Sequence, residues 1–207
     1  MLEFIREELS TQDAAAMRQI YEPLTKSVRE LIDATIRTEV DADTVAQVTA
    51  QIDAATSRLR AQQLPGPFGV RYTSDGDGMA WGNPVIGVRN PSAPPLELHH
   101  ADGKVWTDFH LGAAYEGPPG HVHGGVCALV LDHVLGEVAS DGMTRPAFTG
   151  TISCRYLRAT RLGGLHAEAI IERVDGVKTF AVGHLADDEG VTVQAEGVFV
   201  VPKWARE

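Results

Sequence analysis

The stretch from Val126 to Val138 restricts what this chain can become more than any other part of it. Apolar residues fall at Val126, Leu129, Val130, Leu131, Val134, Leu135 and Val138. At about 100° per residue these positions wrap most of a helix circumference. A helix apolar on nearly all sides belongs inside the molecule, and something else in the chain must enclose it. Gly124 and Gly125 open this helix, and Asp132 sits in its middle.

Strand periodicity stands on both sides of it. Before the helix, Val105, Thr107, Phe109, Leu111 and Ala113 alternate with Trp106, Asp108 and His110, ending at the turn Tyr115-Glu116-Gly117-Pro118-Pro119-Gly120. That is the period of a strand with one buried face. After the helix, residues 147–159, 165–174, 177–186 and 191–201 are expected as four strands. Asp175-Gly176 and Asp187-Asp188-Glu189-Gly190 between them carry hairpin chemistry. A strand, a buried helix and an antiparallel meander, in that order, predict an α+β fold with an antiparallel β-sheet wrapped around a central helix.

Residues 1–63 follow another period. Met17, Ile20, Leu24, Val28, Leu31 and Ile32 recur three and four apart, and Val45, Val48, Ile52, Ala55 and Leu59 form a second stripe. Two helices are expected, the second capped by Asp43 or Thr44 and stopped before Pro65. The chain therefore divides into an N-terminal helical extension, 1–63, and a domain, 64–207, and each helical stripe should dock on something. The junction is rich in Gly and Pro. Within it Asp75-Gly76-Asp77-Gly78 resembles the start of a calcium loop, but the closing glutamate is missing and a polar turn is expected.

Charge and composition exclude several functions. A formal net charge of −10 repels nucleic-acid phosphates. No apolar run approaches the roughly 20 residues that span a bilayer. The opening MLEFIREELSTQD has no basic stretch followed by an apolar one, and Cys127 and Cys154 lie among apolar neighbours outside any CxxC pair. A cytoplasmic protein with reduced thiols is the expectation.

Chemistry concentrates in Gly120-His121-Val122-His123-Gly124-Gly125 and the helix that follows. Two glycines at a helix start leave N–H groups unshielded, with the positive end of the macrodipole behind them. An oxyanion fits there, and one such donor is worth about 10² to 10³ in rate. The glycines could equally serve close packing alone. Asp132, if unpaired inside an apolar helix, would be desolvated and its pKa raised. It could act as general base or attack an acyl carbon; it could also hold a structural hydrogen bond or face solvent. Gly124 and Asp132 are eight residues apart, roughly 12 Å along the axis, whereas reacting groups meet within about 3 Å of one atom. Two antiparallel copies would solve this, which predicts a homodimer with Asp132 of one subunit facing the Gly124-Gly125 turn of the other. Two further chemistries have less support. His121 and His123 lack a carboxylate or thiolate at zinc-ligand spacing. Cys127 lies in the first helical turn, where the dipole lowers a thiol pKa.

The segments YEGPPGHVHGGVCALVLDHVLG (115–136) and FTGTISCRYLRATRLGG (148–164) resemble the hotdog-fold thioesterases, in the branch that includes phenylacetate-pathway enzymes and animal thioesterase-superfamily members. The resemblance covers about Asn83 to Val201. It implies hydrolysis of a fatty or aromatic acyl-CoA to free acid and CoA, with no metal or cofactor, in a homodimer or dimer of dimers. Asp132 matches the family's catalytic carboxylate. Gly125, after His123 and Gly124, matches its helix-start oxyanion position, with His123 holding the turn, and Thr149 matches the Ser or Thr that orients water or the aspartate. Glu116, followed by Gly117, stands where many relatives carry Asn or Gln; ionised, it would repel the oxyanion unless it points away. Arg155, Arg158 and Arg161 are candidates for CoA phosphates, or else line a solvated sheet edge. The alternative is a hotdog module that binds acyl-CoA without hydrolysing it.

Overall fold

The computed structural model describes residues 5–94, 96–142 and 145–206. The chain opens with a two-residue strand, β1 (Ile5–Arg6), then α1 (Thr11–Arg37) and α2 (Ala42–Arg60). Ser10 starts α1 through a capping box, its hydroxyl accepting the Asp13 N–H while the Asp13 carboxylate accepts the Ser10 N–H, both at 3.1 Å. The cap of α2 is Asp41, not Asp43 or Thr44: extended backbone at Asp41 sets its carboxylate under the first turn, 2.8 Å from the Thr44 N–H.

Two short strands, β2 (Arg71–Tyr72) and β3 (Gly78–Met79), join β1 in a small sheet. Ala14, Met79 and Trp81 form its core with Met17, Tyr21 and Phe68, and Arg89 stacks on the Tyr21 ring at 3.8 Å. The Asp75–Gly78 turn belongs to this unit. Asp75 accepts the Thr11 N–H at 2.7 Å and Asp77 accepts the Thr11 hydroxyl. These acids anchor the start of α1, and no group of three metal-ligating side chains occurs among the described residues. α1 thus docks. α2 does not, since none of its residues is buried; the expectation that both stripes dock fails for the second.

The main sheet contains β4 (His99–Ala101), β5 (Lys104–Leu111), β6 (Phe148–Tyr156), β7 (Gly163–Asp175), β8 (Lys178–Asp187) and β9 (Gly190–Val200), in the order β4-β5-β7-β8-β9-β6. Every neighbouring pair is antiparallel. The strand expected over 105–113 ends at Leu111, and residues 113–115 form a single 3-10 turn that redirects the chain toward the central helix. β4 has no counterpart in the sequence analysis. Its three residues are too few to show a period, and Asp102 and Gly103, at φ +52° and +73°, close the hairpin to β5.

α3 (Gly124–Ala139) lies across the concave face of this sheet. Val130, Leu131, Val134 and Leu135 are fully buried against Phe109, Leu111, Ala167, Leu185, Val193 and Phe199. Gly136 allows that approach, because a Cβ there would come within 3.3 Å of the Phe199 ring. The opposite side of α3 stays open in the chain: Leu129 is 36% exposed and Asp132 half-buried. The helix is enclosed on one side rather than all round.

Candidate active site

The loop before α3 is held by its own backbone. Gly117 N–H donates to the His121 carbonyl at 2.9 Å, His121 N–H to the Pro118 carbonyl at 2.8 Å, and His123 N–H to the Tyr115 carbonyl at 2.9 Å. Gly117 is required by proximity, since a Cβ there would sit 2.7 Å from His123 Cα. The Glu116 carboxylate accepts the Gly120 N–H at 2.7 Å, so it clasps the turn internally.

His123 is the N-cap of α3. Its Nδ1 accepts the Gly125 N–H at 3.0 Å, which places the imidazole proton on Nε2. The glycine pair predicts two free amides, with Gly125 at the oxyanion position; the imidazole instead occupies the Gly125 amide. The Gly124 N–H has no partner among the described residues. Its carbonyl accepts the Tyr156 hydroxyl at 2.7 Å, and the Tyr156 ring lies 3.4 Å from where a Gly124 Cβ would stand. Tyr156, at the end of β6, was not singled out from sequence. An aromatic closing a strand is too common a signal, and its contact with Gly124 spans 32 residues.

Asp132 lies farther along α3. It is neither fully buried nor unpaired: Thr149, the second residue of β6, donates its hydroxyl to Asp132 Oδ1 at 2.9 Å. The carboxylate's charge also reaches Cys154, whose thiol is pushed up first by burial and then by Asp132. Beside it on α3, His133 is held neutral. Burial pushes its pKa down to about 4, and its Nε2 is buried without a partner among the described residues. A carboxylate fixed by a hydroxyl donor can accept a proton from water or present an oxygen to an acyl carbon.

The remaining candidates separate. Cys127 is buried beside Thr160, and burial raises its thiol pKa, opposite to the shift a helix-start nucleophile needs. Arg158 is engaged by Asp187, at 2.8 Å from Nη1 to Oδ2, and by the Gly190 carbonyl. This guanidinium holds the Asp187 carboxyl well below the usual range. Arg161 pairs with Glu189 at 2.7 Å. Arg155 lies apart from both, on the outer face of the sheet, in a depression of about 500 Å³ with Glu168, His184 and Glu196. A second depression of about 500 Å³, lined by His100, Glu137 and Val174, opens at the C-terminal end of α3. Neither touches Asp132 or the helix start, so volume alone is a poor guide to the chemistry here. No helix among the described residues is long and apolar enough to cross a membrane.

A family model described as the thioesterase superfamily matches residues 119–194. A thioesterase superfamily protein known from its crystal structure is 34% identical, with a TM-score of 0.77, over 87% of this chain and 94% of its own. A phenylacetic acid degradation-related protein from Ralstonia eutropha JMP134 is 23% identical, with a TM-score of 0.48, over 52% of this chain and 85% of its own. The PaaI protein of the E. coli phenylacetic acid degradation operon is 13% identical, with a TM-score of 0.48, over 52% and 80%. No curated protein matches in sequence. The chain belongs to the thioesterase superfamily, and its sheet wrapped on one helix is the hotdog fold.

Proposed function

We propose that this protein hydrolyses an acyl-CoA thioester at a site shared by two copies of the chain, in the cytoplasm, with Asp132 activating the attack. The observation that carries the proposal is the Thr149-to-Asp132 hydrogen bond on the open side of α3. It leaves an oriented carboxylate where a second subunit can cover it. The unengaged Gly124 N–H stands roughly 12 Å along the same helix, beyond reach of the same carbonyl, so the oxyanion donor comes from the other copy. The edge strand β6 favours such an assembly. Among the described residues its outer ladder is unpaired, and Phe148 and Tyr156 on it and Leu157 just after it are exposed.

Asp132 takes a proton from water as it adds to the thioester carbon, or adds directly to form an anhydride that water then opens. The negative oxygen is stabilised by the Gly124 N–H and the helix dipole. Collapse expels the CoA thiolate, which takes up a proton, and the free acid leaves. Glu116, tied to Gly120, stays out of the oxyanion's way. Arg155 and Arg161 are the cations proposed for CoA phosphates, Arg161 after leaving Glu189; Arg158 holds the 187–190 hairpin instead. The two free cysteines suit a reducing compartment.

The test is thiol release from short, long and aromatic acyl-CoAs. Asp132→Asn and Gly124→Pro should each lose turnover, the proline being tolerated at the first helical position while removing its N–H. Mixing the two inactive proteins should restore about a quarter of the wild-type sites, because half of the dimers then carry one intact site. Proven heterodimers without rescue would remove the shared site. Acyl-CoA binding with no thiol released from any substrate would make the protein a binding module.

A further inference from the structure

We propose that α2 pairs antiparallel with α2 of a second copy, about a two-fold axis at Ile52. The inference is independent of catalysis. Val45, Val48, Ile52, Ala55 and Leu59 follow one another at alternating steps of three and four, the spacing of a helix seam. Among the described residues this seam is only partly covered: Val45, Val48, Ile52 and Leu59 are 36–53% exposed, and α2 contains no buried residue. A regular 19-residue helix capped by Asp41 with a partly covered apolar row requires a partner surface of matching length, about 28 Å.

The charges name that partner. Asp41 and Asp43 stand at the start of α2, Arg58 and Arg60 at its end. A parallel copy would set acid against acid and base against base. An antiparallel copy sets the acidic start of each helix against the basic end of the other and opposes the two macrodipoles favourably. Centred on Ile52, the same operation lays Val45 on Leu59. Of the positions flanking the seam, Thr44, Thr49, Gln51 and Thr56 are uncharged and Arg58 alone carries a charge, at the end of the helix, so the middle of two identical helices meets no repulsion. An acidic or basic foreign helix would satisfy one end of α2 and oppose the other, whereas a second α2 satisfies both.

Disulfide trapping in the full-length chain tests this, in a Cys154→Ala background because the other native thiol, Cys127, is buried. Two-fold contact at residue 52 brings its Cα atoms within the roughly 4.4–6.8 Å that a disulfide needs. Ile52→Cys should therefore cross-link to itself under mild oxidation in at least half of the chains. Val45→Cys and Leu59→Cys should remain uncross-linked singly and link when mixed. Ala50→Cys, on the far face of the helix, sets the collisional background. Self-linking of Val45→Cys would show a parallel pair and overturn the proposal. So would an Ile52→Cys yield no higher than that of Ala50→Cys, the result expected if α2 is covered by another part of a second copy or by a different protein. Thiol release by the same samples is expected to equal that of the Cys154→Ala parent, so failure here and failure of the proposed hydrolysis are read separately.

Discussion

The hairpin of α1 and α2 and the sheet-wrapped α3 treat apolar residues in opposite ways. α3, with 16 residues, buries Val130, Leu131, Val134 and Leu135 completely. α1 and α2, with 27 and 19 residues, bury only Ala14 and Thr25, both on α1. The difference lies in what surrounds each element. The antiparallel strands curve over α3 and supply a second layer, whereas α1 and α2 pack little on each other and leave much of their stripes to solvent. Cohesion of the chain should therefore reside in the sheet and α3, while the hairpin offers surface for association.

The strongest way to break this contrast is to make the same kind of cut in both regions. Leu131→Ala, in the fully buried core, should destabilise by about 3–5 kcal/mol in denaturant unfolding. Ile20→Ala, at 69% exposure on α1, should stay within about 0.5 kcal/mol; equal losses would mean the hairpin is part of the same core. The second test titrates the core. His133 has a folded pKa of about 4 against about 6.5 unfolded, so below pH 6.5 the unfolded chain binds the extra proton. Stability should fall as pH drops from 6.5 toward 4, by up to about 3 kcal/mol. Melting curves of His133→Gln should lack that component.

A smaller effect is expected where edge strand meets helix. Tyr156→Phe removes the hydroxyl bond to the Gly124 carbonyl and should destabilise by about 1 kcal/mol, with a drop in kcat rather than a rise in KM if the helix start loses its position. Comparable in size is Ser10→Ala, which breaks the capping box of α1 at about 1 kcal/mol. Hydrogen exchange should place that loss in the first turns of α1 and leave α3 unchanged. Spread of the effect into the main sheet would show that the hairpin and sheet unfold together.

Much of the molecule was legible in its periods. Strands at 148–156, 163–175, 178–187 and 190–200 fall close to the expected segments, because alternation and hairpin residues are local signals. The three-residue β4 escaped for want of a period. In the candidate site, Gly124, Gly125 and Asp132 could be singled out locally, as a glycine pair at a helix start and an acid inside an apolar helix, whereas the part given to Thr149 came only through the family resemblance. Tyr156 could not, nor could the capture of Arg158 by Asp187, since both depend on which strand ends lie together in space.

Local residue patterns were enough to set the elements and the need for one helix to be enclosed, since hydrogen-bonded geometry and side-chain alternation act over a few residues. Tertiary structure decided which side of α3 closes, which glycine amide stays unengaged and that the α2 stripe remains only partly covered. Those outcomes depend on contacts between residues tens of positions apart, where packing and register, rather than local propensity, select the arrangement.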